Sequence, residues 1–401
     1  MLAELQPAIN NARATTRKAR IFAHAIGRST DAVASPGARV QPVKAAILET
    51  IPGELVIDEV DVGTVGPREV LIRTVAAGLC HSDLHFMEAK YPCPVPVVLG
   101  HESAGIVEAV GREVSYVQPG DHVITCISGF CGSCAYCLGG RPNLCDHVGL
   151  ARDPADPPRL RRGDQPVFQF ADLSSFAEQL LVHEHMVVKI RPDMPLDKAA
   201  LIGCGVTTGV GAVCNTARVR PGETVAVLGC GGIGLNAIQA ASIVAAGRVI
   251  AVDRVASKLA LATTFGATDV VDASTTDPVA AVLELTGGGV DHAFEAIGLK
   301  STAEQAFGML GKGGTATVIG MVPFGQRIEI DGFQLLLEKR LQGTNMGSNR
   351  FRLDMPQYIE WYLAGKLKLD ELVSAVMPLE KINDGFAALR DGEVARQLVT
   401  F

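Results

Sequence analysis

From Lys44 to about Val123 the chain reads as short β-like runs, KAAILET, EVLIRTVAAG, GIVEAVG and DHVIT, punctuated by glycine and proline. That pattern predicts a compact, strongly bent β domain. At Thr224 the rhythm changes. TVAVLG, RVIAVD, TDVVD, VDHAFEAIG and TATVIGM are short apolar runs of the kind a parallel strand needs when both its faces are covered. Helical segments at Asn236–Ala246 and Val255–Phe265 lie between them, and this alternation predicts a doubly wound α/β sheet. Asp153–Gly163 (DPADPPRLRRG) is rich in proline and arginine and reads as an exposed loop. Beyond Phe351 come one more helix, MPQYIEWYLAGK, and a closing β-like run, RQLVTF.

With 401 residues the chain exceeds the size at which one core keeps growing, so two domains are expected. A 48% apolar and 20% charged composition is that of a soluble globular protein. The net charge of −7 removes the electrostatic reason to expect nucleic acid or an anionic membrane as partner. The most apolar stretch, Val225–Val252, is broken by Gly229, Gly231, Gly232, Gly234, Asn236 and Gln239, with Arg248 near its end. A strand, a tight turn and a buried helix account for it, and no transmembrane helix is predicted. Residues 1–42 carry six arginines and lysines against only Glu4 and Asp31. An organelle transit peptide has that composition, but a disordered extension is the preferred reading, since the apolar core of a secretory signal is absent.

Cys131, Cys134, Cys137 and Cys145 fall within fifteen residues, in CGSCAYCLGGRPNLC. This spacing lets four thiolates converge on one tetrahedral ion, and a closed four-cysteine site of this kind holds zinc structurally. A metal-like cluster in a chain of this length points to the reducing cytoplasm rather than to a disulfide framework. Gly229-Cys230-Gly231-Gly232-Ile233-Gly234 follows a strand and opens a helix. Its glycines permit a tight turn and close approach of backbone to a pyrophosphate at the helix N-terminus. Asp253, nineteen residues after Gly234, ends the next strand, where a carboxylate accepts from adenosine ribose hydroxyls. Its charge favours NAD over NADP, a choice tempered by the neighbouring Arg254.

Three further residues stand out by context: Cys80 opens CHSDLH, His101 lies in GHESAG, and Cys204 lies in GCGVTTG. Two cysteines and a histidine leave a fourth coordination position open, as a catalytic zinc requires. Taken with Gly100-His101-Glu102 followed by Gly105 and Gly111, the four-cysteine lobe, Pro119-Gly120-Asp121-His122-Val123 and the nucleotide fingerprint, the chain from Lys44 to Phe401 resembles the zinc-dependent medium-chain alcohol dehydrogenases. The ligand set is one for which alcohol dehydrogenase is itself the standard example, so it adds no independent support.

The resemblance implies a GroES-like catalytic domain (residues 43–205 and 346–401, with the lobe at about 126–146) and a Rossmann NAD-binding domain (206–345). It also implies two zinc ions per subunit and a homodimer or homotetramer. Cys80, His101 and Cys204 would hold the catalytic zinc. Ser82 would take the alcohol proton and pass it toward His85, Asp83 would orient the ring of His101, and Glu102 would lie behind the metal. His81, Thr208, Lys258 and Arg396 match cofactor-contacting positions, beside Gly229, Gly231, Gly232, Ile233, Gly234 and Asp253. Tyr91, Ile127, Phe170 and Val322 match the substrate pocket, whose apolar and aromatic walls suit a primary alcohol, aliphatic or aromatic, converted to the aldehyde or formed from it.

Other readings stand beside this one. A formaldehyde–thiol-adduct dehydrogenase needs a cationic anchor. The family's arginine after the lobe is Gly149 here, so Arg152, Arg159, Arg161 or Arg162 would have to substitute. A polyol or amino-acid dehydrogenase would share the zinc ligands. A non-catalytic NAD-binding protein would lack the open zinc set.

Overall fold

A computed structural model of the chain describes residues 42–401 other than 147, 148, 154 and 393. The N-terminal extension, Pro42 apart, lies outside the described residues.

The early β-like runs build two packed β units. Strands Val43–Leu48, Leu55–Val62, Leu160–Arg162, Gln165–Gln169 and Val97–Val98 close a small barrel in that order. Beside it runs a sheet ordered Val187–Lys189, His122–Thr125, Glu102–Val110, Glu69–Leu79, Arg396–Thr400 and Val373–Pro378, with Gln179–His183 also paired to Glu69–Leu79. The chain's last strand therefore returns to the first half: Gln397 pairs with Leu79 and Thr400 with Ala76. The strands Val43–Leu48 and Arg396–Thr400 contribute to one core, in which Phe176 meets Phe386 edge to face at 5.8 Å.

The second half is a six-stranded sheet ordered Asp269–Asp272, Arg248–Asp253, Thr224–Leu228, Val290–Glu295, Leu310–Val318 and Arg340–Gly343, with every neighbouring pair parallel. The order reverses between Thr224–Leu228 and Val290–Glu295. Open α/β sheets bind ligands at the carboxyl ends of their strands beside such a switch point.

Two helices begin earlier than the apolar pattern predicts. The first, Gly232–Ile243, opens inside the glycine turn, where the amide of Leu235 already bonds the carbonyl of Gly231. The second, Phe351–Leu363, contains Pro356 rather than starting beside it. Its first turn is tied by Asp354, whose carboxylate accepts from the amide of Arg350 at 2.8 Å. One 22-residue helical run, Leu196–Ala217, is long and apolar enough to cross a membrane, but 83% of its apolar window is buried inside the protein. It is a core helix, and it carries Cys204 and Thr208.

Candidate active site and metal centres

Strand register assembles the first donor set. Gly78 lies opposite Glu102 in the pair Glu69–Leu79 and Glu102–Val110, so Cys80, just past one strand, and His101, just before the other, emerge side by side. Cys204 arrives from the core helical run within Ile202–Val206, where the helix widens to an i→i+5 turn. Widened turns of this kind collect at functional positions. Donor atoms of Cys80, His101, Glu102 and Cys204 lie within 4.8 Å of one another, and all four residues are buried.

Asp83, fully buried, accepts at Oδ1 from the amide of Gly100 at 3.0 Å and pairs with His101 Nδ1 at 3.1 Å. That fixes the ring and leaves Nε2 as its donor for a metal. The Cys80 thiol is held well below its ordinary range by the hydrogen bond from Cys204, with Arg396 and His101 adding to the effect against burial. Cys204 is raised in turn by Cys80. Of the two thiols Cys80 is thus the easier to ionise, and a bound zinc would require both to do so. Burial pushes Glu102 up to about 8 against the pull of Arg396, and neither of its carboxylate oxygens has a hydrogen-bond partner.

Arg396 opens the last strand and is only 4% exposed. Its guanidinium lies 3.6 Å from Glu102 Oε1 and donates to the carbonyl of Leu79 at 3.4 Å. It threads between Gly205 and Gly232, and a Cβ at either position would collide with it. The two glycines thus let one cation touch both the donor set and the start of the glycine-turn helix.

A cleft of about 910 Å³ opens beside these groups, and Cys80 and Arg396 reach its lining. Cys80, His81, Ser82 and His85 line one end, Gly229, Gly231, Gly232 and Ile233 line the turn with Arg396, and Asp253 and Lys258 line the far end. Gly234 is packed inside the helix against the carbonyl of Gly229. Asp253 accepts from the amides of Cys230 (2.7 Å), Arg254 (2.7 Å) and Val255 (3.0 Å), so its carboxylate also shapes the loops around it.

Ser82 Oγ lies 3.6 Å from Cys80 Sγ and 3.4 Å from Met321 Sδ. His85, one turn further along the helix His81–Met87, stacks on Tyr91 with ring centres 6.1 Å apart. Burial, then Lys90, holds its pKa below the ordinary imidazole value, so the ring is neutral at pH 7 and able to take a proton.

The remaining predicted residues lie off the cleft's lining. Tyr91 donates to the carbonyl of Val322 at 3.1 Å, which links the barrel unit to the parallel-sheet unit. Phe170 packs edge-on against His101 with centroids 5.8 Å apart. Ile127 is half-buried against the core. Thr208 Oγ1 lies 3.4 Å from Met346 Sδ. Sequence reasoning passed over Met321 and Met346, and no motif marks either.

The second donor set is the lobe. Cys131, Cys134, Cys137 and Cys145 place their sulfurs within 4.8 Å of one another. Cys131–Cys137 is 4.0 Å and Cys134–Cys145 3.9 Å. Those separations rule out disulfides. They match the roughly 3.8 Å between thiolates that share a tetrahedral zinc through bonds of about 2.3 Å. Amides of Ser133 and Cys134 donate to Cys131 Sγ at 3.4 and 3.3 Å, and the thiol is lowered to about 6, chiefly through Ser133. The donor chemistry fits zinc.

Three of the loop arginines are engaged away from the cleft. Arg152 and Arg159 bind Glu69, and Arg162 binds Glu49 and Asp58.

Fold and donor sets together are those of a medium-chain, zinc-binding dehydrogenase. The chain belongs to the zinc-binding alcohol dehydrogenase family: residues 66–192 match the alcohol dehydrogenase GroES-like domain and residues 232–364 the zinc-binding dehydrogenase domain. It is 39% identical to the S-(hydroxymethyl)glutathione dehydrogenase of Haemophilus influenzae over 86% of this chain and 94% of that protein. Identity to the NDMA-dependent alcohol dehydrogenase of Amycolatopsis methanolica is 40%, over 89% of this chain and 98% of that one. The crystal structure of benzyl alcohol dehydrogenase from Acinetobacter calcoaceticus superposes with a TM-score of 0.85 at 34% identity, covering 90% of this chain and 99% of the other.

Proposed function

We propose that the protein interconverts a primary alcohol, aromatic or medium-chain aliphatic, and its aldehyde, with NAD as hydride carrier. The observation that carries this reading is the buried Cys80–His101–Cys204 set at the end of the same cleft that the glycine turn lines. Zinc bound there would supply Lewis acidity that brings the substrate hydroxyl's pKa toward neutrality, and NAD would take the hydride. Ser82 accepts the substrate's proton and relays it toward His85, whose neutral ring receives it at the cleft wall. Asp83 holds the ring of His101 in one tautomer. The carboxylate of Asp253 at the adenosine end opposes a 2′-phosphate, which supports NAD over NADP.

The names of several relatives raise the thiol-adduct reading. The commitment of Arg152, Arg159 and Arg162 to carboxylates of the barrel favours the simple alcohol, because an anionic adduct would find none of these three to hold it. The aromatic cluster of Phe170, Phe86 and Tyr91, which packs beside His101 behind the cleft's lining, points the same way. A screen of NAD reduction across aliphatic, aromatic and thiol-adduct alcohols tests it. Benzylic and medium-chain alcohols are expected to give the highest kcat/KM, and turnover confined to thiol adducts or polyols would sink the reading.

The reduced thiols suit the cytoplasm. A homodimer is supported by Phe324, Phe333 and Leu336, which are 78, 64 and 77% exposed close in sequence to the edge strand Arg340–Gly343. Leu336→Asp is expected to shift sedimentation from dimer to monomer. An unchanged sedimentation coefficient would place the interface elsewhere.

A further inference from the structure

We propose that the strap Asn345–Asn349 couples the four-cysteine lobe to the Cys80–His101–Cys204 set, so that zinc in the lobe slows zinc loss from the other site. The inference rests on the reading that both sets hold zinc.

The strap is fastened to both roots of the lobe. Asn143, two residues before Cys145, donates from Nδ2 to the carbonyl of Asn345 at 3.1 Å, and Asn345 Nδ2 donates back to the carbonyl of Asn143 at 3.0 Å. At the other root, Asn349 Nδ2 donates at 2.9 Å to Ser128 Oγ, three residues before Cys131, and at 2.7 Å to the carbonyl of Met346. Asn349 is fully buried.

Between these anchors the backbone is left-handed at three successive residues: Met346 at φ 51°, Gly347 at 66° and Ser348 at 49°. Non-glycine residues persist there only where their surroundings over-determine the conformation. Gly347 is pressed so closely on the carbonyl of Thr207 that a Cβ would collide with it, and Asn215 Nδ2 donates to its carbonyl at 3.3 Å. The strap thus lies directly on the helical run that carries Cys204 and is tethered to it through Asn215. Its one long apolar side chain reaches that cysteine: Met346 Sδ packs 3.9 Å from Cys204 Sγ.

A lobe without its ion loses the cross-link that holds Asn143 near Ser128. The strap's anchors then loosen, its left-handed residues relax, and Met346 no longer backs Cys204.

The test follows zinc release from the full-length protein into excess chelator, read with a colorimetric zinc indicator. Cys204→Ser and Cys131→Ser identify which phase belongs to which site. Disabling the lobe with Cys131→Ser is expected to speed release from the three-donor site about fivefold, the effect of one net hydrogen bond. Asn345→Ala alone is expected to speed it by about the same factor, and in that background Cys131→Ser is expected to add nothing, as residues acting through one contact are non-additive. An unchanged release rate in Cys131→Ser overturns the coupling, as does multiplication of the two effects. Should Cys131→Ser fail to fold, Asn345→Ala decides alone, because that side chain is exposed and tolerates truncation. Release at the parent rate then overturns the proposal. A parent chain with fewer than two zinc ions sinks the zinc reading and the coupling with it. Two ions with unaltered release sink the coupling only.

Discussion

Cys80→Ser is expected to lower alcohol turnover by about 10³-fold or more and to take the zinc content from about two ions per chain to about one, with the fold intact. A serine hydroxyl does not ionise near neutrality, whereas the Cys80 thiol is already biased toward thiolate by Cys204, Arg396 and His101. Cys80 is 2% exposed, and among the described residues no cysteine or histidine beyond His101 and Cys204 is in the donor set to replace the lost sulfur. Lewis-acid stabilisation of several kcal/mol then disappears, and at about 1.4 kcal/mol per decade that is at least about three decades of rate. The lobe cysteines lie in a separate loop, so their ion stays. Metal analysis and an NAD-reduction assay on the same sample check both halves. A variant that holds one zinc and still turns over near the parent rate sinks the assignment of the chemistry to Cys80, His101 and Cys204.

Those three residues were legible in the sequence because metal-binding chemistry uses few residue types. Cys80, His101 and Cys204 sit in separate short motifs, each of which alone allows a core thiol or a structural histidine, and only read together do they form a ligand pattern. The parallel sheet was legible for a similar reason, since buried strands must be apolar runs and Thr224–Leu228 and Arg248–Asp253 are. What could not be read depends on contacts between distant segments. Arg396 could be matched to a cofactor position, but its place beside Glu102 follows from the last strand pairing with Glu69–Leu79. The engagement of Asn345 with Asn143 joins residues 202 apart in sequence, and neither asparagine belongs to a motif. The loop arginines mislead for the same reason. Their local composition says exposed and available, and only the folded barrel supplies the carboxylates that occupy Arg152, Arg159 and Arg162.

Glu69→Gln is expected to cost about 3 kcal/mol of stability at pH 7, and the cost is expected to disappear in acid. Glu69 is 5% exposed, and its carboxylate gathers four donors. Arg152 Nε at 2.8 Å and Arg159 Nε at 2.7 Å bind Oε1, while Arg152 Nη2 and the amide of Gly66 at 2.8 Å bind Oε2. Burial alone would raise the group's pKa, but the two guanidinium groups outweigh it and hold the carboxyl down at about 2 against an ordinary 4.5. A depressed folded-state pKa contributes stability that is fully present above 4.5 and is lost as pH falls through about 2. At about 1.4 kcal/mol per pKa unit the shift corresponds to roughly 3 kcal/mol, within the range of about 3–5 kcal/mol for removing one partner of a buried ion pair. Denaturant unfolding of parent and variant should therefore differ by a constant amount above pH 4.5, and the gap should close toward pH 2. A gap that stays constant down to pH 2 would mean that the charge of Glu69 is not what the arginines hold. The network also reaches the active site. Arg159 Nη1 donates at 3.1 Å to Gln169 Oε1, the next residue is Phe170, and Phe170 rests on the ring of His101. Glu69→Gln is thus expected to raise KM for the alcohol with little change in KM for NAD, because the arginines it releases support the aromatic packing beside His101 and not the glycine turn.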